Sequence, residues 1–397
     1  MTRPAFLLES DIAEIVAPLP LGTLEQLGGK HVLITGGRGF LGRYFTAVLH
    51  ELNERYLDGN PVRVTVWDNF ISAGEAGRDL PNLPHVTFAE RNVIEQGSPV
   101  VEVPEGTDGA YYNVHAKRWF IDDRVDFILH AAGIASPAHY RAHPLETLEV
   151  ATTGLKNSLE LARANPGCKL VFFSSSEIYG DPTEGNVPTA ETYKGHVACL
   201  GPRACYDESK RLGETLCQIY AQQFGVHAMI IRPFNVYGPG MQATDYRVLP
   251  NFAARIAMGQ PLEVYGTGKQ TRTYCYVADA IGGFLRVLLH GRAGEPYNIG
   301  NPVGECSVND LALTIAGIHA GVTAEIKPHP ASYPADEPNR RCPNISKAAT
   351  ELGYAPRIGL EDGLKRFFDW ALSVYPRGER EAPPVTVEEM RAVSAHP

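Results

Sequence analysis

Residues 31–42 read HVLITGGRGFLG, and this stretch decides the fold. Its first five residues are mostly apolar or β-branched, which predicts a short strand. A glycine-rich turn follows, and apolar residues then recur at helical spacing. A second β-rich run over 62–67 ends at Asp68. The order is therefore strand, glycine turn, helix, strand and acid.

The same alternation continues along the chain. Apolar strand candidates lie at 127–130, 170–173 and 228–231, and helical stretches at 145–164 and 208–224 separate them. Strands that alternate with helices predict a parallel sheet covered on both faces. The fold class is therefore α/β, a Rossmann-type doubly wound sheet with a smaller, mainly C-terminal α/β substrate lobe.

The glycines at 36, 39 and 42 follow the pattern GxxGxxG. Gly36 allows a tight turn, Gly39 lets the backbone approach a pyrophosphate, and Gly42 lets the helix pack close to the strand. The phosphate would meet free N–H groups at the helix N-terminus. Asp68 suits two ribose hydroxyls and repels a 2′-phosphate, which favours NAD over NADP. Two alternatives stay open: Arg38 could contact phosphate, and the turn could hold no nucleotide.

Tyr206 and Lys210 form a YxxxK pair, and residues four apart on a helix share one face. A free tyrosine has a pKa near ~10, and a neighbouring ammonium together with a nicotinamide cation favours the phenolate. Tyr206 is therefore a candidate base that takes a hydroxyl proton during hydride transfer. The alternative is an ordinary half-buried helix face.

Strand 170–173 leads into the sequence SSSEIYG. Side chains alternate at a strand end, so Ser175 and Glu177 are expected on the same side. Ser175 could donate a hydrogen bond to the reacting oxygen, and Glu177 could act as an acid/base or position a water. The alternatives are strand-end capping for the serine and a salt bridge for the glutamate.

Composition excludes several classes of protein. The chain has 397 residues and a formal net charge of -9, which argues against a nucleic-acid binder. Seven scattered cysteines without a CxxC pair make a zinc knuckle or a disulfide scaffold improbable, and we predict no metal site. No apolar run approaches the ~20 residues that span a bilayer. We expect a reduced, cytoplasmic protein without a membrane partner.

Five further stretches carry a family resemblance, and they read SSSEIYGDP, GPRACYDESK, RPFNVYGPG, YGTGKQTRTYCYVAD and RCPNI. With the glycine loop they resemble the extended short-chain dehydrogenase/reductases that act on nucleotide sugars, and most of all the UDP-glucuronate decarboxylase (UDP-xylose synthase) branch. The likeness covers roughly residues 30–372. Residues 175–177 read Ser-Ser-Glu, as in the decarboxylases. Family 4,6-dehydratases carry an Asp where this chain has Ser176.

The resemblance implies an activity and a mechanism. The enzyme would convert UDP-glucuronate to UDP-xylose through a C4-keto intermediate, with NAD recycled internally. Tyr206 would be the C4 base and acid, Lys210 would tune it and hold the nicotinamide ribose, and Ser175 would bind the C4 oxygen. Glu177 and Arg272 would handle events at C5. The alternatives are a nucleotide-sugar 4-epimerase, a 4,6-dehydratase and a non-catalytic NAD-binding regulatory protein.

The resemblance also implies the binding residues. Asn235, Arg272 and Arg341 resemble diphosphate contacts, although Arg340 could serve in place of Arg341, and Tyr265 resembles a wall around the base. Further expected contacts are Tyr140 for the substrate and, for NAD, Phe40, Leu41, Asn69, Asn92, Val93, Tyr206 and Lys210 besides the glycines and Asp68. Family members usually form homodimers through two helices per subunit, here 145–164 and 208–224. Leu155, Leu159, Leu212 and Leu216 could serve the core or that interface.

These patterns divide the chain. Residues 71–120 are rich in glycine and proline and longer than a βα unit needs, so we expect loop insertions there. The predicted units are an N-terminal extension, packed or partly mobile, at 1–28, an NAD-binding Rossmann domain at 29–235, a mainly nucleotide-sugar-binding lobe at 236–376 with some segments returning to the first domain, and a polar tail at 377–397.

Overall fold

The computed structural model describes residues 7–19, 22, 25–57, 59–73, 77–78, 82–95, 124–319, 321–328 and 338–377. Its strands, in chain order, are β1 His31–Thr35, β2 Arg63–Asp68, β3 Val86–Glu90, β4 Phe127–His130, β5 Lys169–Phe173, β6 His227–Pro233, β7 Val236–Tyr237, β8 Leu262–Tyr265, β9 Thr271–Arg272, β10 Cys275–Tyr276, β11 Pro296–Ile299, β12 Cys306–Ser307, β13 Ala324–Lys327 and β14 Arg340–Arg341. Seven of them form one parallel sheet in the order β11-β6-β5-β4-β1-β2-β3. The predicted α/β fold is confirmed.

Helices cover both faces of this sheet. They are α1 Glu9–Val16, α2 Phe40–Arg55, α3 Pro137–Ala142, α4 Pro144–Glu149, α5 Leu155–Ala164, α6 Ala204–Phe224, α7 Val248–Ala257, α8 Val277–His290, α9 Val308–Ile318, α10 Ser346–Leu352 and α11 Leu360–Val374. A π-helical turn, Val150–Gly154, joins α4 to α5. The two helical stretches expected at 145–164 and 208–224 are therefore present.

The alternating side chains of β1 show how the sheet divides the core. Val32 and Ile34 belong to a hydrophobic cluster that includes residues of α2 and α8. Leu33 belongs to a second cluster, which includes residues of α5 and α6. Successive side chains of a strand point to opposite faces, so one five-residue strand anchors both layers. A central strand that is buried throughout is typical of a doubly wound sheet.

Two strands of the sheet escaped the sequence analysis. Edge strand β3 is only partly buried, so it lacks the continuous apolar run that marks the central strands. Strand β11 contains a proline and Asn298, whose buried side-chain amide donates to the carbonyl oxygens of Thr189 and Asn344. Each of these strands pairs with a strand that is distant in sequence, β3 with β2 and β11 with β6. Most of the expected insertion, 74–76, 79–81 and 96–123, lies outside the described residues.

The described part of the N-terminal extension is packed on the body. Helix α1 contacts α2 and α8. Its Asp11 is fully buried and accepts hydrogen bonds from the hydroxyls of Tyr44 and Tyr276. Burial raises the pKa of Asp11 to about 6. The extension, which lacked a clear period in sequence, is thus fixed by polar contacts to two other elements.

The chain beyond residue 235 serves two parts of the molecule. Strand β11 joins the main sheet, and Phe284 of α8 packs edge-on against Phe173 of β5, with ring centroids 5.2 Å apart. The remaining short strands pair apart from that sheet, β8 with β13, β9 with β12 and β14, and β7 with β10. Among the described helices, none combines the length and apolar character that crossing a bilayer requires. The tail from residue 378 lies outside the described residues.

Candidate active site

A cavity of about 900 Å³ opens at the carboxyl ends of the parallel strands, where ligands bind in open α/β sheets. Every site residue predicted from the sequence lines this cavity: Gly36, Gly39, Phe40, Leu41, Gly42, Asp68, Asn69, Asn92, Val93, Tyr140, Ser175, Glu177, Tyr206, Lys210, Asn235, Tyr265, Arg272 and Arg341. The structure therefore brings together residues spread over more than three hundred positions. Their individual roles stay predictions.

The glycine loop forms one wall of the cavity. Gly36 has a positive φ of 67°, and a Cβ there would stand 2.5 Å from the backbone of Ala132. A Cβ on Gly42 would stand 2.4 Å from Gly37, so the first turn of α2 rests directly on the loop. Helix α2 begins at Phe40 without a side-chain cap. Its first N–H groups are thus left for an anion in the cavity.

Asp68 ends β2 beside this loop. Its carboxylate accepts hydrogen bonds from the backbone N–H groups of Arg38, at 2.8 Å, and Phe70, at 2.7 Å. Burial raises the pKa of Asp68, and these two donors oppose the rise. Nε of Arg38 donates to the carbonyl oxygen of Gly77 at 2.7 Å, and Arg38 also lines the cavity. Arg38 therefore helps to hold the loop, and Asp68 keeps the position that the ribose hydroxyls of a dinucleotide would require.

Tyr206 and Lys210 lie one turn apart on α6, as their spacing predicted. The Lys210 ammonium is 5.7 Å from the centroid of the Tyr206 ring and donates to the carbonyl oxygen of Phe173 at 2.8 Å. Burial lowers the pKa of Lys210 to about 8. Burial raises the pKa of Tyr206 to about 12, and a hydrogen bond with Ser175 opposes the rise. The Tyr140 ring stacks on Tyr206 with centroids 5.5 Å apart.

Ser175 and Glu177 reach the cavity in a different way from the one we expected. Strand β5 ends at Phe173, and Ser176–Tyr179 form a 3₁₀ turn. Ser175 is the N-cap of this turn, because its hydroxyl oxygen accepts the N–H of Glu177 at 3.2 Å. Ser175 and Glu177 therefore do not lie on one face of a continuing strand, contrary to our expectation. A capped turn, and not a continued strand, brings both side chains to the cavity.

Glu177 is held by two arginines. Its carboxylate accepts hydrogen bonds from Arg203, which precedes α6, and from both terminal nitrogens of Arg341 on β14. Burial alone would raise the pKa of Glu177, but the positive charges of Arg341 and Arg203 outweigh it and lower the pKa to about 2. Glu177 is therefore a carboxylate in the resting protein.

Arg340, Arg341 and Arg272 lie on paired strands, but each has different hydrogen-bond partners. Arg340 binds the carboxylate of Glu305 at 2.6 and 2.8 Å, so it is Arg341 that reaches the cavity. Arg272 donates to backbone carbonyl oxygens, at 2.9 Å for Thr271 and 2.7 Å for Pro338. These contacts brace the guanidinium of Arg272 where it lines the cavity.

The two other expected substrate contacts each have a partner within the protein. Asn235 adopts a positive φ of 41° and its side-chain amide donates to the carbonyl oxygen of Thr273 at 2.8 Å. The hydroxyl of Tyr265 donates to Glu263 at 2.7 Å. Both residues line the cavity, so a ligand would contact their remaining polar atoms or the face of the ring.

Comparisons of the sequence and of the structure show which known proteins this chain resembles. Residues 32–300 match the NAD dependent epimerase/dehydratase family. The chain belongs to this family. UDP-glucuronic acid decarboxylase 1 of Xenopus tropicalis is 37% identical over 375 residues, which cover 90% of this chain and 80% of that protein. UDP-glucuronic acid decarboxylase 1 of Danio rerio is 38% identical over 347 residues, covering 87% and 74%. The structure of Thermus thermophilus UDP-glucose 4-epimerase in complex with NAD has a TM-score of 0.67, with 26% identity over 86% of this chain and 98% of that one.

NAD is therefore the cofactor, and the residues present fit it. The tight glycine loop, the uncapped start of α2 and the carboxylate of Asp68 would supply the phosphate and ribose contacts that a dinucleotide needs. Asn69, Asn92 and Val93 line the same end of the cavity. Lys210, beside Tyr206 on α6, also lines the cavity and is the residue expected at the nicotinamide ribose.

Arg203 and Asp207 were not predicted as site residues, and of the two only Arg203 lines the cavity. Arg203 holds Glu177, and Asp207 lies 3.5 Å from Arg203. Both belong to the quoted stretch GPRACYDESK, and their spacing of four predicts a contact at the start of a helix. That signal was present. What the sequence did not show is that Glu177 would lie against the same guanidinium.

Proposed function

We propose that this protein is a carboxy-lyase that converts UDP-glucuronate to UDP-xylose through a C4-keto intermediate, with NAD recycled in each turnover. The observation that carries the proposal is the Ser175–Glu177 turn. Ser175 and Tyr206 line the same cavity, and in it Glu177 is held between Arg203 and Arg341. The relatives that are similar over most of this chain are named UDP-glucuronic acid decarboxylases.

Tyr206 is the proposed base for the C4 hydroxyl. Bound NAD supplies a hydride acceptor for C4, and the chain must then remove the hydroxyl proton. A pKa of about 12 makes the phenol a poor base at neutral pH, so it needs nearby positive charge. The Lys210 ammonium provides one such charge, and the nicotinamide cation provides another. Ser175 would donate to the same C4 oxygen and keep it in place.

Glu177 and its arginines are proposed to serve C5. A ketone at C4 makes the sugar a β-keto acid, so CO2 can leave while its electrons pass into an enolate. Glu177 is ionised and fixed by two arginines, which suits it to positioning a water and not to giving up a proton of its own. That water would return the proton to C5. Arg272, braced by backbone carbonyls, would face the departing carboxylate.

Release of CO2 from UDP-glucuronate is the direct test. Protein saturated with NAD is incubated with UDP-glucuronate, and mass spectrometry follows the loss of CO2 from the nucleotide sugar. Tyr206→Phe is the matched control, since it removes only the phenol oxygen. We expect UDP-xylose from the wild type and a rate ~10²–10⁴-fold lower from the variant. Interconversion of C4 epimers without loss of CO2 would show a 4-epimerase instead.

Glu177→Gln tests the division between C4 and C5. The variant should slow product formation by at least ~10²-fold, the low end for a lost acid/base or water-positioning group. Reduced NAD should then persist after mixing, because oxidation at C4 still occurs while the later steps fail. Rapid-mixing absorbance beside a CO2 assay measures both. Glu208→Gln, at a partly exposed position of α6, is the control. If Glu177→Gln and Arg272→Ala both release CO2 at the wild-type rate, the C5 assignment is wrong.

We further propose that the protein works as a homodimer through α4 and α6. Leu155 and Leu159 are fully buried in the core, so they are not available to a partner. Leu145 and Leu148 of α4 and Leu212 of α6 are 72%, 41% and 51% exposed. Helices α4 and α6 contact each other, so these side chains belong to adjoining helices. Exposed apolar side chains on adjoining helices favour a protein partner.

A further inference from the structure

We propose that Asp207 sets the net charge that the cavity offers to the carboxylate of an anionic sugar. Asp207 does not line the cavity; it lies behind Arg203 and acts through it, as a positioning residue. Protonation of Asp207 leaves the two guanidiniums that hold Glu177 with one positive charge in excess. The inference rests on the proposed function, because it assumes a substrate that carries a carboxylate.

One of the two carboxylate oxygens of Asp207 has no hydrogen-bond donor among the described residues. Its side chain is buried, and its Oδ2 lies 3.5 Å from Nε of Arg203. Its Oδ1 is buried without a hydrogen-bond partner in the part of the chain that the structure describes. Buried carboxylates that serve only to hold a fold together normally have both oxygens satisfied. Asp207 is therefore held less firmly than the carboxylate that shares its arginine.

Glu177 and Asp207 compete for the same guanidinium. Arg203 donates to Glu177 from Nη2 and faces Asp207 with Nε. Glu177 has a second partner in Arg341, which donates to it from both terminal nitrogens, whereas Arg341 acts on Asp207 only through its charge. A proton shared by the two acids therefore resides on Asp207. In agreement, burial and the charge of Glu177 raise the pKa of Asp207 to about 7, against the charges of Arg203 and Arg341.

Other ionisable groups lie near Asp207, but they do not change the net charge of this cluster near neutral pH. Tyr140 of α3 and Tyr206 of α6 feel the charge of Asp207, and burial raises the pKa of both phenols. Cys205, next in the helix, is affected in the same way. Arg203, Arg341 and Glu177 keep their charges. The four-residue cluster thus changes from neutral to a single positive charge when Asp207 alone takes up a proton.

Binding of an anionic sugar should therefore be linked to the uptake of a proton by Asp207. An anionic sugar should bind better when Asp207 is protonated, so its affinity should fall as the pH rises through the pKa of Asp207. Linkage to one proton near pH 7 limits the change to about tenfold between pH 6 and pH 8. A neutral sugar on the same nucleotide should show a smaller change, because it lacks the carboxylate and the diphosphate contributes equally to both ligands.

Calorimetry on protein saturated with NADH tests the proposal, since the reduced cofactor cannot oxidise C4. UDP-glucuronate and UDP-glucose are titrated between pH 6 and pH 8, and the ratio of their dissociation constants cancels the nucleotide. For the wild type, we expect the preference for UDP-glucuronate to fall by roughly threefold to tenfold across this range. Asp207→Asn should keep the preference constant. Glu208→Gln removes the charge of the next residue, at a partly exposed position, and should behave as the wild type.

A measurement on the wild type alone keeps the proposal open to refutation if Asp207→Asn does not fold. Titrations at pH 7 in two buffers of different ionisation enthalpy count the protons taken up. We expect up to about half a proton for UDP-glucuronate and less for UDP-glucose, which lacks the carboxylate. UDP-glucuronate that binds without proton uptake, or an unchanged slope in Asp207→Asn, would overturn the role of Asp207. Failure of UDP-glucuronate to bind at any pH would instead overturn the proposed substrate.

Discussion

Asp207→Asn should make the protein more stable above pH 7, although it removes a partner of Arg203. The pKa of Asp207 is raised from 3.8 to about 7 in the folded protein, chiefly by burial. The folded state therefore binds this proton more tightly than the unfolded chain does. Stability is lost as the pH rises between these two values, because the folded protein must then hold a buried carboxylate whose one close partner among the described residues is Arg203.

The change in the free energy of unfolding follows from the difference between the two pKa values of Asp207, 3.8 and about 7. Each pH unit between 3.8 and about 7 corresponds to about 1.4 kcal/mol, so the ionised Asp207 costs up to about 4 kcal/mol at pH 8. Asparagine cannot ionise and avoids this cost. Glu177→Gln should act in the opposite direction, because the pKa of Glu177 is lowered from 4.5 to about 2 and its charge contributes about 3 kcal/mol above pH 4.5.

Urea unfolding followed by tryptophan fluorescence at pH 5 and pH 8, with the NAD concentration held constant, measures both variants. Asp207→Asn should gain stability over the wild type mainly at pH 8, and Glu177→Gln should lose stability at both pH values. Glu208→Gln is the control for removing one charge from α6. If Asp207→Asn is no more stable than Glu208→Gln at pH 8, then the ionised carboxylate of Asp207 does not destabilise the folded protein. That result would contradict the prediction.

Three further predictions concern the site and the assembly. Tyr206→Phe should lower turnover by ~10²–10⁴-fold with an unchanged circular dichroism spectrum, because the phenol is the proposed base; near wild-type activity would remove it from the mechanism. The purified protein should carry NAD(H), visible in the absorbance and mass of the denatured supernatant, and a protein that stays apo and ignores NAD in calorimetry would contradict this. Leu212→Glu should convert a dimer to a monomer in light scattering, whereas the same change at the exposed Leu313 of α9 should not; a wild type that is already monomeric at micromolar concentration would exclude the dimer.

Several features could be predicted because they depend on residues close in sequence. The strand–glycine–helix unit at 31–42 rests on a local periodicity and on glycines that the turn itself requires. The pair Tyr206 and Lys210 rests on the pitch of one helix. Parallel strands present their carboxyl ends at one edge, so the predicted site residues could be expected to meet once the sheet was inferred.

Other features depend on contacts between distant parts of the chain, which no local pattern shows. The 3₁₀ turn that carries Glu177 begins where β5 ends, and its charge is fixed by Arg203, 26 residues away, and Arg341, 164 residues away. Leu159 and Leu212 look alike in sequence, yet one is buried and the other exposed. Burial and long-range charge together determine whether an acid such as Asp207 holds its proton, and both exist only in the folded protein.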